Sequence, residues 1–426
     1  MPVLSTQPYK GTRDFYPKDM RVRRWMFNRL RNVVEGYGYE EYDGPMLEPF
    51  ELYAAKTGEE IVNQQLYWLM DRGERKLAIR PEMTPTLARM VAARVQELPR
   101  PIRWYSIPNL WRYERPQRGR LREHWQLNVD VLGGDPILAD AEVLKVALDL
   151  MAAFGGEKLV RIHLNNRKLM DHFFTNVLGV TPEKALQITK AIDARAKIGE
   201  EAYAKWLAEL GLGEDPRAKM ETFFKAPFEE TARAFPCDGT RELAAVFEML
   251  GESAGSVVFD PTVMRGMDYY TGTVFEVYDT SPENRRAMFG GGRYDNLIGL
   301  FGNQKLPGVG FGMGDVTLRN FLETHGLLKE LPSPVDVFVS LPKIEFRPQA
   351  DRVARKLREA GLHAITPLSV GGFGEQLKLA LKHGARFAVL FGDAEMASGN
   401  VILKDLAKAS QETCPLDEVA QKVLKK

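Results

Sequence analysis

The sequence has little that would indicate a disulfide framework, a metal site or a membrane segment. Its 426 residues include two cysteines, Cys237 and Cys414, and six scattered histidines, without a C-x-x-C pair or a Cys/His cluster. Disulfide-rich secreted domains and structural zinc sites need such clusters. There is also no signal-peptide pattern at the start, and no apolar run approaches the roughly 20 residues that cross a bilayer. We therefore expect a reduced, cytoplasmic protein with no metal site and no membrane partner.

An excess of charge of one sign is also missing. The chain has 58 Lys and Arg against 57 Asp and Glu, a formal net charge of +1, so it is not a polybasic tail protein. Apolar residues make up 44% and aromatic residues 10%, enough to form buried cores. At about 100–200 residues per domain, the length predicts two to four domains.

The distribution of periodic segments predicts an α/β protein whose main body is α+β. An amphipathic helix over residues 17–38 and strand-like stretches between 39 and 131 predict a largely antiparallel sheet with flanking helices. Short Ala-, Lys- and Glu-rich helical segments follow, and they predict a helical insertion over residues 171–250. Strand-like, glycine-rich sequence from 257 to 314 is expected to complete the first sheet. The main body therefore covers residues 1–325.

The remainder of the chain has a different period. A proline-rich stretch predicts a linker at residues 326–333, and strands alternate with helices over residues 334–426. Such alternation is typical of a small α/β domain with parallel strand pairing.

The densest local charge lies in residues 112–122, which hold five arginines and one glutamate. Arginine forks suit phosphate oxygens, so this segment favours a phosphate-rich ligand. A solvated charged hairpin explains the same residues equally well.

Two later segments combine glycines with directional polar groups. Residues 264–276 contain Arg265 and Tyr270, and residues 290–295 read Gly-Gly-Gly-Arg-Tyr-Asp. Successive glycines let a ligand approach the backbone closely, although a tight hairpin turn is the simpler alternative. The segment 307–314 fails the G-x-G-x-x-G pattern, and there is no P-loop, so neither common nucleotide-binding loop is present.

In their order along the chain, these motifs resemble those of class II aminoacyl-tRNA synthetases, and of the histidyl-tRNA synthetase family in particular. The resemblance spans nearly the whole chain, and its pieces are Lys10-Gly11-Thr12-Arg13-Asp14-Phe15, Gly44-Pro45-Met46-Leu47-Glu48-Pro49 (motif 1), Arg80-Pro81-Glu82-Met83-Thr84, Arg112-Tyr113-Glu114-Arg115-Pro116-Gln117 (motif 2), Arg265-Gly266-Met267-Asp268-Tyr269-Tyr270 and Gly290-Gly291-Gly292-Arg293-Tyr294-Asp295. Residues 334–426 are similar to that family's anticodon-binding domain. The resemblance implies ATP-dependent activation of L-histidine and its transfer to the 3' end of tRNA(His), with Mg²⁺ accompanying ATP and a homodimer built around motif 1.

The family's site residues carry over onto matching positions. The resemblance implies catalytic cations at Arg112 and Arg265 on either side of the α-phosphate. The remaining implied contacts are Glu114, Arg120 and His124 for ATP, Glu82, Thr84, Gln126, Asp130, Arg265, Tyr270 and Tyr294 for histidine, and Arg115 and Gln117 for the acceptor end of tRNA. In this scheme Asp130 accepts a hydrogen bond from the imidazole of the substrate and Tyr270 donates one.

Three positions depart from the family pattern. Thr317 stands where an ATP-contacting arginine is usual, His124 where a phenylalanine stacks on adenine, and Asp130 where a glutamate is usual.

Two other functions remain open at this stage. One is a non-catalytic paralogue that acts as the regulatory subunit of ATP phosphoribosyltransferase, and the other is a plain RNA-binding module. The complete histidine-pocket set and the C-terminal domain favour the enzyme.

Overall fold

The chain folds into two compact units, Met1–Lys329 and Glu330–Lys426. The structure is a computed structural model and describes residues 4–54, 61–265, 269–302 and 304–426. Gly266, Met267 and Asp268 of the motif that begins at Arg265 lie outside the described residues.

The first unit contains twelve strands in its described part. They are β1 (Glu40–Glu41), β2 (Leu47–Pro49), β3 (Trp68–Met70), β4 (Lys76–Ile79), β5 (Ile102–Ser106), β6 (Asn109–Trp111), β7 (Glu123–Leu132), β8 (Val160–Asn166), β9 (Val257–Phe259), β10 (Thr273–Asp279), β11 (Phe289–Tyr294) and β12 (Gly308–Gly314). The main sheet has the order β1-β5-β7-β12-β11-β10-β8-β9, with β6 paired to β7. Only its outer pairs, β1 with β5 and β8 with β9, are parallel. The predicted fold, an antiparallel-rich sheet with flanking helices, is confirmed.

The helices of the first unit are α1 (Pro17–Gly36), α2 (Phe50–Ala54), α3 (Thr84–Ala93), α4 (Pro136–Ala152), α5 (Arg167–His172), α6 (Pro182–Ile198), α7 (Glu200–Glu209), α8 (Glu214–Lys225), α9 (Phe228–Ala234), α10 (Asp238–Leu250) and α11 (Asp315–Thr324). Six of them, α5 to α10, follow one another between β8 and β9 without an intervening strand among the described residues. The chain therefore leaves the sheet after β8 and returns to its edge at β9.

One face of the main sheet carries the core. Because side chains alternate along a strand, Val129 of β7, Phe311 of β12 and Phe275 of β10 point the same way. All three are buried in one cluster with Leu30 of α1 and Leu150 of α4. The opposite face is polar and rich in glycine, so it is available for a site.

The second unit has its own core and a five-stranded sheet. Its elements are β13 (Val337–Val339), α12 (Arg347–Glu359), β14 (Ala364–Ile365), α13 (Phe373–Lys382), β15 (Phe387–Leu390), α14 (Asp393–Ser398), β16 (Asn400–Asp405), β17 (Ser410–Pro415) and α15 (Val419–Leu424). As predicted, β13 pairs in parallel with β14 and β15. The antiparallel pairs of β15 with β16 and of β16 with β17 were not predicted.

In neither unit does the described part of the chain contain a helix that is both long and apolar enough to cross a membrane.

Candidate functional site

On the polar face of the main sheet, strand β12 has glycine at every second position. A Cβ atom built on Gly308 would lie 2.5 Å from the ring of Tyr294, and one on Gly310 would lie 2.2 Å from Oδ1 of Asp130. On Gly312 it would lie 1.8 Å from Nε2 of Gln126. These glycines alternate along the strand and so share one face. Any larger residue would occupy the space of a predicted pocket side chain.

Strand β11 continues the same surface. A Cβ atom on Gly290 would come within 3.2 Å of Nη1 of Arg265, and one on Gly292 within 2.8 Å of the ring of Tyr270. Gly291 points to the core side instead, against Phe311. We call Gly290, Gly292, Gly308, Gly310 and Gly312 the glycine floor. Five predicted site residues lie over it: Gln126, Asp130, Arg265, Tyr270 and Tyr294.

Asp130 is buried on this floor. The hydroxyl of Tyr294 donates a 2.6 Å hydrogen bond to its Oδ1 atom. Burial raises the pKa of Asp130 to about 7, and the hydrogen bond from Tyr294 only partly opposes that effect. Burial therefore favours the protonated form of this carboxyl group, and Tyr294 acts as its hydrogen-bond donor.

Two predicted residues, Glu82 and Thr84, reach the site through a tyrosine that the motif comparison did not assign. The hydroxyl of Tyr269 donates to Oε2 of Glu82 at 3.0 Å and also lies within hydrogen-bonding range of Thr84. Thr84 is the first residue of α3. The ring of Tyr269 contacts that of Tyr270, with centroids 5.0 Å apart. Tyr269 therefore connects the start of α3 to the glycine floor.

Gln126 has a similar unpredicted partner. Its Nε2 donates to Oδ1 of Asn128 at 2.9 Å, two residues further along β7. Their sequence spacing of two places both side chains on the polar face, which is the signal that could have identified Asn128.

Arg265 is anchored at both ends of its guanidinium group. Nη1 donates to Oε1 of Glu276 at 3.1 Å, and Nη2 donates to the backbone oxygen of Gly290 at 3.2 Å. The Nε atom is buried without a protein partner among the described residues. Burial acts to lower the pKa of Arg265, but Tyr270 and Glu276 outweigh it and the pKa is raised. The group is a fixed cation, and its carboxylate partner Glu276 was not predicted.

Arg112 approaches the same region from the end of β6. Its Nε donates to the backbone oxygen of Pro81 at 2.8 Å, next to Glu82. Glu82 contacts Tyr269, which packs on Tyr270, and Tyr270 lies within hydrogen-bonding range of Arg265. A continuous series of contacts thus links the two arginines that the motif comparison pairs.

His124 is uncharged in this setting. Burial, followed by the positive charges of Arg112 and Arg13, lowers its pKa to about 3. A neutral, partly buried imidazole beside two guanidinium groups can stack on an aromatic base without adding charge.

The loop between β6 and β7 carries the other predicted ATP and tRNA residues. Nη1 of Arg120 lies 3.5 Å from a carboxylate oxygen of Glu114. The backbones of Gln117 and Arg120 bond to each other around Gly119, whose φ is +80°. Arg115, Gln117 and Arg120 are exposed. The structure thus places these three on an open loop, and none of them has a described contact with the side chains over the glycine floor.

The hydroxyl of Thr317 makes no described contact with the charged side chains of the loop between β6 and β7. Its hydroxyl donates to the backbone oxygen of Gly314 at 3.1 Å, and its methyl group faces Gly119. Arg319 pairs with Glu323 on its own helix.

The described residues contain no group of three or more His, Cys, Asp or Glu side chains that could hold a metal ion. A magnesium ion bound together with a phosphate ligand would therefore take at most one or two ligands from such side chains, with phosphate oxygens and water supplying the others.

Comparison with known proteins gives a consistent result. Residues 11–316 match the pattern of a family described as histidyl-tRNA synthetase, and residues 336–426 match one described as an anticodon-binding domain. The histidine–tRNA ligase of Leptospira biflexa is 47% identical, over 99% of this chain and 98% of its own length.

Two solved structures share the fold. The histidyl-tRNA synthetase of Nostoc sp. PCC 7120 superposes with a TM-score of 0.83 at 27% identity, covering 99% of this chain and 100% of that one. A protein from Bacillus halodurans, titled an ATP phosphoribosyltransferase regulatory subunit/histidyl-tRNA synthetase, has a TM-score of 0.73 at 23% identity and covers 91% of this chain and 98% of that one. At that identity the second likeness shows the fold alone. The family pattern and the full-length relative agree, and the chain belongs to the histidyl-tRNA synthetase family.

Proposed function

We propose that this protein is a histidine–tRNA ligase, which activates L-histidine with ATP and transfers it to the 3' end of tRNA(His). The observation that carries the proposal is the arrangement over the glycine floor. A fixed cation, Arg265, lies on the same surface as a carboxyl–tyrosine pair, Asp130 and Tyr294, that suits an imidazole. An amino-acid activating site needs both parts together.

In the first step, a carboxylate oxygen of histidine attacks the α-phosphorus of ATP. The bond from that phosphorus to the bridging oxygen breaks, and pyrophosphate leaves with the electron pair. Negative charge grows on the phosphoryl oxygens, and pre-placed cations stabilise it. Arg112 and Arg265 are proposed for this role, since both are held by backbone carbonyl groups at Pro81 and Gly290 and need little reordering.

Histidine is recognised through its two ring nitrogens. A neutral imidazole offers one donor and one acceptor. In the described part of the structure, the hydroxyl of Tyr294 bonds to Oδ1 of Asp130, so Oδ2 is proposed to accept from the ring N–H, while the Tyr270 hydroxyl donates to the other nitrogen. Glu82, Thr84 and Gln126 are proposed to hold the amino group and its neighbouring polar atoms. Rejection of amino acids without matching polar atoms follows, because Oδ2 of the buried Asp130 would be left without a hydrogen-bond donor.

ATP is proposed to lie along the cationic side of the site. The uncharged ring of His124 would stack on adenine in place of a phenylalanine, with Glu114 nearby, and Arg120 would meet the distal phosphates. Magnesium supplies charge neutralisation of the outer phosphates when it is bound with ATP. The chain's own part is to orient the triphosphate with Arg112, Arg120 and Arg265.

In the second step, a terminal ribose hydroxyl of tRNA attacks the activated carbonyl, and AMP leaves. The exposed Arg115 and Gln117 are proposed to hold the acceptor end. The second unit is proposed to bind the anticodon region. Residues 334–426 carry 14 basic and 11 acidic side chains, so local patches must supply the affinity.

The active form is proposed to be a cytoplasmic homodimer. Motif 1 and the adjoining three-stranded sheet of β2, β4 and β3 expose several large apolar side chains, of which Trp68 is 56% and Met70 51% exposed. Exposed apolar side chains gathered on one small sheet are typical of a contact between subunits.

Histidine-dependent exchange of pyrophosphate into ATP tests the activity directly. We expect the wild-type protein to catalyse it, and Arg265→Ala to reduce the rate by about 10²-fold or more, as loss of one transition-state donor does. Arg241→Ala, at an exposed ion pair with Asp238, is the matched control and should keep the wild-type rate. An exchange that is absent, or that does not depend on histidine, would instead favour a regulatory subunit of ATP phosphoribosyltransferase.

A further inference from the structure

We propose that Glu276 is a positioning residue that holds the guanidinium group of Arg265 at the reaction centre. The proposal rests on the proposed function above, which assigns Arg265 to the α-phosphate. Glu276 is a carboxylate close to where an anionic substrate is expected to bind. Such a charge would repel the substrate, so its presence calls for an explanation.

The two anchors of Arg265 come from directly paired residues. Glu276 of β10 and Gly290 of β11 are opposite each other in the antiparallel ladder. The first supplies a carboxylate to Nη1, and the second supplies its backbone oxygen to Nη2. Because both anchors belong to one ladder pair, sheet hydrogen bonding fixes the distance between them. The plane of the guanidinium group is then set by the sheet.

Glu276 is itself held in place. The hydroxyl of Tyr278 donates to Oε2 of Glu276 at 2.5 Å, so Oε1 is left to face Arg265. The ring of Tyr278 in turn packs on His163, with centroids 4.6 Å apart, and Nδ1 of His163 lies 2.7 Å from Oδ2 of Asp260. A series of contacts that runs from Asp260, just after β9, through His163 of β8 to Tyr278 of β10 therefore ends on this one carboxylate.

The backbone of Arg265 makes such an anchor necessary. Its φ of +55° is in the left-handed region, which costs a non-glycine residue about 1–2 kcal/mol. A strained residue of this kind persists only where its surroundings over-determine it. The side-chain contacts with Glu276 and Gly290 provide that constraint.

Stability alone does not account for the ion pair. The two side chains, Arg265 and Glu276, are 22% and 18% exposed, and at this depth the attraction between two charges is largely offset by their desolvation. A negative charge near the phosphate also weakens the binding of ATP in the ground state. We therefore attribute the ion pair to stabilisation of the transition state. Glu276 holds the cation of Arg265 in an accurate position, and an accurately placed cation stabilises the transition state more than a mobile one does.

The test is Glu276→Gln, which keeps the size and a hydrogen-bond acceptor but removes the charge. We expect kcat of histidine-dependent pyrophosphate exchange to fall about 10- to 100-fold, as displacement of a catalytic group does, while KM for ATP does not rise. Tyr278→Phe, which frees Oε2 of Glu276, should lower kcat less but in the same direction. Glu323→Gln removes the carboxylate of an exposed Arg–Glu pair with Arg319 and is the matched control.

Three results would overturn the proposal. The first is a kcat within twofold of wild type in Glu276→Gln. The second is a rise in KM for ATP together with a lower melting temperature in the same variant, which would indicate a merely structural role. The third needs no activity: in a crystal structure of Glu276→Gln, the guanidinium of Arg265 still bonded to the Gly290 oxygen would show that the carboxylate is not what holds it. A wild-type protein without histidine-dependent exchange would refute the proposed function instead, and the crystal structure would still decide the role of Glu276.

Discussion

Asp130 is an acid whose surroundings, more than its type, determine its protonation. It lies over Gly310, it is 3% exposed, and the contact described for it is with a neutral phenol, Tyr294. Without a cationic partner to offset burial, its proton is retained to about pH 7. Near neutrality the pocket therefore contains a group that can either donate or accept.

This raised pKa predicts how stability depends on pH. The folded protein binds the proton of Asp130 more tightly than the unfolded chain does, so the stabilisation is complete below about pH 4 and is lost as pH rises through about 7. The loss is of the order of 4 kcal/mol, at about 1.4 kcal/mol per pKa unit. Asp130→Asn, which keeps an acceptor for Tyr294, should remove this part of the slope when melting is followed from pH 4 to pH 8.

The same substitution at the exposed cap of α4, Asp135→Asn, is the control, since asparagine also caps helices and should leave the slope unchanged. An Asp130→Asn protein whose stability falls as steeply as that of wild type would contradict the raised pKa.

At the scale of single residues, the motifs predicted candidate site residues, but they did not predict the side chains that contact those residues. Asp130, Tyr294 and Arg265 were all predicted from sequence, and the structure brings them onto one surface. Glu276 and Tyr269 were missed because their importance comes from partners distant in the chain, Arg265 and Glu82. Periodicity carries no signal for such pairs.

At the scale of elements, β12 shows how one strand can form the base of a site. Glycine at 308, 310, 312 and 314 leaves its polar face bare, while Val309, Phe311 and Met313 fill the core on the other side. The sequence predicts strand structure here, and the segment does not fit the dinucleotide-loop pattern. The alternation of glycine with apolar residues further indicates a strand with one face free of side chains, which the sequence analysis did not predict.

The two glycines at the centre of β12 should respond differently to the same change. In Gly312→Ala the new methyl group meets the side-chain amide of Gln126, which can rotate away, so the fold should persist while KM for histidine rises several-fold. In Gly310→Ala the methyl group would lie 2.5 Å from the backbone oxygen of Val129, which cannot yield without moving β7. That variant should lose a few kcal/mol of stability, as overpacked sites do.

Melting temperatures and pyrophosphate-exchange kinetics of the two variants check this. Equal destabilisation of both proteins would mean that Gln126 is not free to move.

Elements of the second unit divide in a similar way. The parallel strands β13, β14 and β15 were predicted, because helices separate them and buried apolar runs mark them. The hairpin of β16 and β17 was not predicted, since Ser410–Pro415 is mostly exposed and polar and becomes a strand by pairing with its neighbour. Such pairing is a tertiary effect that local sequence does not encode.

At the scale of the whole molecule, the near-zero net charge provides no overall electrostatic attraction to a partner. Association must therefore depend on particular surfaces. The sheet of β2, β4 and β3 is one of them. In β3 Trp68, Leu69 and Met70 are all exposed, and β3 is an edge strand of its sheet. An uncovered apolar edge is a hazard for aggregation unless another chain covers it, and a second copy is the simplest cover.

Trp68→Asp should therefore convert the proposed dimer to a monomer, because burying an unpaired carboxylate at a subunit contact costs several kcal/mol. Light scattering at micromolar concentration measures the change in mass. Leu138→Asp, at an equally exposed apolar side chain on α4, should leave the mass unchanged. A wild-type protein that is already monomeric, or a Trp68→Asp protein of undiminished mass, would contradict the assignment of this surface.

The glycine floor also limits how the substrate range of such an enzyme could be altered. Pockets are commonly enlarged by trimming large residues at their base, but here the base already has no side chains to trim. Room for a bulkier amino acid must then come from the walls, by shortening groups such as Tyr294 or Gln126, and each of these is also proposed to take part in recognition. A substitution that widens the pocket should therefore also reduce its selectivity for histidine.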